Sequence, residues 1–100
     1  METLDLVLKK KWYYMIDSGI KTEEYREIKP YWFNRLMFLN EEDVYEFRRF
    51  DTVTFHLGYS KNRPSMTFKI KSIDMGEGRE EWGAEKYIQY YIIRLGERIP

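Results

Sequence analysis

The stretch SGIKTEEYREIKPYW, from Ser18 to Trp32, decides how the chain is read. Gly19 suits the left-handed residue that ends a helix, and Pro30 suits the first position of a new one. The residues between them, KTEEYREI, therefore read as a strand. Strand residues alternate sides, so Thr22, Glu24, Arg26 and Ile28 share one face, and Glu23, Tyr25 and Glu27 the other. Neither is an ordinary apolar face. Glu24 and Arg26 are next neighbours on one side and can pair, which is the condition for tolerating partly buried charge. Lys21 stands at the helix-to-strand turn and can aim its ammonium at the same place.

Working outward, KKWYYMIDSG places Trp12, Tyr13, Met15 and Ile16 at helical spacings, so a helix of two to three turns precedes the stretch. Before it, TLDLVL alternates Leu4, Leu6 and Leu8 as a first strand. After it, PYWFNRLMF forms a short helix. Leu39 to Arg49 is acidic and reads as an irregular connector. TVTFHLGY puts Val53, Phe55 and Leu57 on one face, SKNRP is turn chemistry, and SMTFKIKSIDM alternates Met66, Phe68 and Ile70 against Thr67, Lys69 and Lys71. These two runs form a hairpin. GEGREEWGAEK reads as a loop. YIQYYIIRL is apolar on both faces, so it is a central or closing strand. Five strands and two helices predict an α+β, mainly β fold, a small mixed and partly closed barrel with the helices packed on it.

A chain of 100 residues supplies one domain and one core, and 43% hydrophobic with 18% aromatic residues is enough to fold it despite 34% charge. The absence of cysteine excludes disulfides and thiolate metal sites. His56 is the single histidine, so no usual transition-metal set is expected and no cofactor is called for. No run approaches the ~18 apolar residues of a membrane span, and the N-terminal order of apolar residues then lysines is the reverse of a signal peptide. A cytoplasmic protein without a membrane partner is expected. Seventeen basic and seventeen acidic residues cancel, so no global field drives nucleic-acid binding. Locally, Thr52 to Ile73 lacks any acidic residue and holds Lys61, Arg63, Lys69 and Lys71. That hairpin is either a solvated face or a set of phosphate contacts, with Tyr59 near its turn able to stack on a base.

The charges of the opening stretch have two readings. One is an edge strand whose ion pairs keep other chains from adding to it. The other is the floor of a cleft, with a lysine for an anionic or carbonyl group, a carboxylate as acceptor or general base, and an arginine as a planar fork. Pattern alone leaves both open.

Gly19, Lys21, Glu24 and Arg26 spell G-x-K-x-x-E-x-R between a helix and a strand, and this resembles the signature of ASCH domains, relatives of the PUA fold. The flanking LVLKKKWYYMIDSGIKTEEYREIKPYW is similar in order and spacing to small bacterial and phage members, and YYIIRLGERI resembles their closing strand. The resemblance implies a PUA-like β-barrel whose motif-lined cleft holds RNA or a nucleoside-type ligand. It makes Gly19, Lys21, Glu24 and Arg26 the expected ligand-binding residues; Thr22 joins them from the same strand face, and Trp32 because Tyr31, Trp32 and Phe33 on one short helix cannot all face one core. Some small members are amidohydrolases on N4-acylated cytidine, in which the motif lysine works with a threonine and a glutamate from a later loop. In that alternative Lys21 and Glu24 would be catalytic. Glu24 stands where those enzymes have threonine, and Thr22 lies two residues away. Glu77, Glu80, Glu81 and Glu85 are equal candidates for the loop glutamate. Trp82, alone in that polar loop, is either a lid or an anchor.

Overall fold

The computed structural model describes residues 2–100. The five strands expected from alternation all form one sheet: β1 (Thr3–Leu8), β2 (Glu23–Glu27), β5 (Thr52–Leu57), β6 (Ser65–Glu77) and β7 (Gln89–Ile99). Their order is β1-β5-β6-β7-β2. Only β1 and β5 run parallel; every other pair is antiparallel. The sheet curls into a half-barrel, and among the described residues no ladder joins its two end strands, β1 and β2. Curling is helped by two register irregularities in β6, between Phe68 and Ile70 and between Ile70 and Ser72, because a bulge bends and twists the strand that carries it. The central position expected of YIQYYIIRL holds. β7 lies between β6 and β2, and Tyr90, Tyr91, Ile92 and Ile93 are all buried.

One apolar stripe crosses the concave face. Leu4, Leu6 and Leu8 stand opposite Val53, Phe55 and Leu57, and Val53 and Phe55 in turn stand opposite Phe68 and Met66. Across β7 the stripe continues as Ile93 and Tyr91, whose partners on β2 are Glu24 and Arg26. The interior stripe therefore ends in charge. Helix α1 (Lys10–Asp17) caps this face through Tyr13 and Ile16, and Gly19, at φ +83°, takes the left-handed turn that releases the chain into β2. Helix α2 (Pro30–Leu36) starts at Pro30 and buries Leu36 in the same core.

Two expectations change. The segment read as an irregular connector contains a hairpin, β3 (Met37–Leu39) and β4 (Tyr45–Phe47). Asn40 organises it: its side-chain oxygen accepts from the amides of Glu42 at 2.8 Å and Val44 at 3.0 Å, a local side-chain turn that acidic composition conceals. Phe47 then packs edge-on against Tyr91 and anchors the hairpin on the core. The glycine-containing loop is also shorter than expected. β6 runs on to Glu77, and a 3-10 turn, η1, covers Glu80–Trp82. Tyr25, Ala84, Tyr90 and Ile92 make a second, smaller apolar cluster there, on the opposite face of the sheet. No helix among the described residues is long and apolar enough to cross a membrane.

Candidate functional site

Lys21 precedes β2 and its backbone amide donates to the Met15 carbonyl at 3.0 Å, so the end of α1 fixes where the side chain starts. Its ammonium is 2.5 Å from Oε1 of Glu24, and Lys21 and Glu24 are only 2% and 5% exposed. Arg26 reaches the other carboxylate oxygen, Nη2 to Oε2 at 2.7 Å. Glu24 thus holds one cation on each oxygen. Withdrawing such charges from water costs several kcal/mol per ion, and a pair repays it only when its remaining hydrogen-bonding capacity is met. Here further support comes from aromatic faces. The Lys21 ammonium lies 4.9 Å from the Trp12 ring centre and 5.6 Å from that of Tyr25, and the Arg26 guanidinium lies 5.0 Å from Trp32.

The same Arg26 Nη2 donates to the carbonyl of Val7 on β1 at 3.2 Å. This bond crosses the seam between the two end strands. A second arginine, Arg35 of α2, donates to the carbonyl of Asp5 further along that edge at 3.3 Å. The Arg26 Nε is buried and has no partner among the described residues.

The Lys21–Glu24–Arg26 cluster floors a cavity of about 830 Å³. Trp12, Trp32 and Trp82, the three tryptophans of the chain, all line it, with Tyr25 and Tyr90. Lys29, Glu27, Glu85 and Gln89 add polar groups. The wall that carries Trp82 and Glu85 is tied down by two phenols, since the Arg79 amide donates to the Tyr25 hydroxyl at 3.0 Å and the Glu85 amide to the Tyr90 hydroxyl at 3.0 Å. The Tyr25 hydroxyl donates in turn to Glu23 at 2.8 Å. Its pKa is pushed up to about 12, first by burial and then by the Glu23 carboxylate, against the opposing pull of the Arg79 amide. Gly78 lies so close to this ring that an added Cβ would sit 2.6 Å from it.

Of the residues singled out in the sequence, Lys21, Glu24, Arg26 and Trp32 converge on this cavity. Gly19 shapes the turn and does not line it, and Thr22 is exposed, ahead of the strand rather than on its inner face. Of the four loop glutamates only Glu85 lines the cavity. Trp82 is buried beneath Arg79, as an anchor would be, and also forms part of the wall. Lys61, Arg63, Lys69 and Lys71 line neither this cavity nor the neighbouring one; Arg63 donates to the Gly58 carbonyl and Lys69 lies 3.6 Å from Glu97. His56 pairs with Asp5 at 2.8 Å, and no group of metal-ligating side chains occurs among the described residues.

Sequence reasoning missed Trp12, Lys29, Gln89 and Tyr90 as cavity residues and left Glu85 as one of four candidate glutamates. Trp12 was legible as a helix residue, but its position beside Lys21 depends on how α1 is rotated on the sheet. Glu85 carried the right chemistry and lacked only a reason to be preferred over its neighbours. Comparison with protein-family models, with curated proteins and with solved structures gives no match for this chain.

Proposed function

We infer that the chain binds RNA or a nucleoside-type ligand in the cavity floored by Lys21, Glu24 and Arg26. One observation carries this reading: a buried ion cluster with fixed donors lies at the bottom of a cavity walled by indole and phenol rings. A flat heterocycle needs apolar faces to lie against and a few fixed polar groups to orient it, and the cavity volume is in the range of small-molecule sites. The lysine is committed to a carboxylate, which favours binding over nucleophilic attack. The resemblance to ASCH domains leads to the same ligand class. It also makes the half-barrel a PUA-like barrel, a reading supported by the mixed five-stranded sheet and the helix-turn-strand placement of the motif.

The second reading is an amidohydrolase acting on N4-acylated cytidine. It is favoured by Glu85, which shares the cavity with Lys21 and could complete a lysine–glutamate pair. Glu24 in place of threonine weighs against it.

Because every tryptophan lines the cavity, intrinsic fluorescence is a direct probe. Titration with the four ribonucleosides is expected to give a saturable change with at least one of them, lost in Arg26→Ala. A flat titration with all four nucleosides and with short RNA would sink the binding reading. Incubation with N4-acetylcytidine tests the enzyme, and cytidine release no greater than in Lys21→Ala would remove it for that substrate.

A further inference from the structure

A second cavity, of about 560 Å³, lies on the other side of Arg26. It shares Arg26, Lys29 and Trp32 with the first, so the two are compartments on either side of one guanidinium and one indole. Its floor is the free edge of β1 from Asp5 to Val7. Arg26, Lys29 and Arg35 bring three cationic side chains to it, Arg26 paired with Glu24 and Lys29 3.8 Å from Glu27, while the Asp5 carboxylate is paired with His56. Two tyrosines, Tyr31 and Tyr59, also line it and are 61% and 85% exposed. An exposed phenol beside clustered cations, next to a cavity that suits a base, is the arrangement by which single-stranded nucleic acid is held: aromatic faces for the bases and cations for the phosphates between them.

We propose that the site takes two phosphodiester-linked nucleotides, one base in the larger cavity, the linking phosphate at Arg26 and Lys29, and the next base in the smaller cavity against Tyr31 and Tyr59. The proposal rests on the RNA- or nucleoside-binding reading and deepens it by assigning a second base and the linking phosphate to the smaller cavity. It also moves the phosphate contacts from the Lys61–Lys71 hairpin to the seam. Arg26 retains donor capacity for this, because both of its hydrogen bonds run from Nη2.

The test compares, on the full chain, the best-binding ribonucleoside, its monophosphate and a dinucleoside monophosphate containing it. Arg35→Ala and Tyr59→Ala serve as variants, since neither residue lines the larger cavity. The dinucleotide is expected to bind about tenfold tighter than the nucleoside, the low end of what one stacked base contributes. Each variant should lose most of that gain and leave nucleoside affinity unchanged. Equal affinity for nucleoside and dinucleotide would overturn the second compartment while leaving the first reading intact. So would a gain reproduced in full by the monophosphate, or one that survives both substitutions. If neither nucleoside nor dinucleotide binds, both readings fall together.

Discussion

The two end strands of the half-barrel, β1 and β2, occupy equivalent places in the sheet and are built oppositely. β1 turns Leu4, Leu6 and Leu8 into the concave face, none more than 4% exposed. β2 turns Glu24 and Arg26 into it. At β1 the stripe of side chains across the sheet begins as hydrocarbon, and its stability comes from area removed from water. At β2 it ends as an ion cluster, whose burial is tolerated only because each charge has a partner. The half-barrel is therefore a core at one edge and a charged cavity floor at the other, and the difference lies in the side chains at inward-facing positions.

Substitutions at the two edges test that contrast. The largest effect is expected at Glu24→Ala, which strands the Lys21 ammonium in a nearly dry site and should cost about 3–5 kcal/mol in chemical denaturation. A cost under about 1 kcal/mol would mean that water replaces the carboxylate freely and that the β2 edge is not a buried cluster at all. Next comes Leu6→Ala on β1, where lost transfer energy and a residual cavity should together cost about 3 kcal/mol. If it cost less than a conservative surface change, the β1 edge would not be core.

Gly78→Ala should cost about 1–3 kcal/mol by forcing the Tyr25 ring to move, and should also weaken nucleoside affinity by displacing the wall that Arg79 and Trp82 share. A variant with unchanged stability and affinity would show that this wall yields readily.

The last effect is invisible at neutral pH. The Tyr25 phenol is held at about 12 in the folded chain against 10.0 as its ordinary value, so the folded state keeps the proton longer. Its contribution is whole below about pH 10 and is lost as pH rises toward about 12. Tyr13 and Tyr91, both raised chiefly by burial, add to the same alkaline loss. Denaturation midpoints measured from pH 9 to 12 should fall more gently in Tyr25→Phe than in the parent chain, and parallel curves would place the sensitivity elsewhere.

Much of this architecture could be read in the sequence because local rules govern it. Alternation located Leu4, Leu6 and Leu8, and Val53, Phe55 and Leu57; Gly19 and Pro30 marked where helices stop and start. The β3–β4 hairpin escaped because Asn40 makes its turn through side-chain bonds that hydropathy does not register. That β1 is the other strand at the open seam also escaped, since which strands end a sheet is decided by pairings between distant segments. For the site, spacing along one strand brought out Glu24 and Arg26, and proximity to the turn brought out Lys21. Trp12 and Glu85 needed the tertiary fold, because nothing local orients α1 or the loop beyond β6 toward β2. The two readings of the charged strand also turn out to be compatible: β2 is an edge and lines a cavity at once.

The pairing of β2 with β7 has a consequence for the order of assembly. Glu23 is bonded to Arg94, 71 positions later, and Leu95 donates its amide to the carbonyl of Thr22. The residues that floor the cavity are made well before β7, the strand that holds them in place. Such long-range closure is slow, because loop entropy is lost before any pairing repays it. A nascent chain would carry Lys21, Glu24 and Arg26 as separate, hydrated charges until β7 arrives. Assembly of the cavity floor would then wait on β7 and not on the local turn that brings Lys21 toward Glu24.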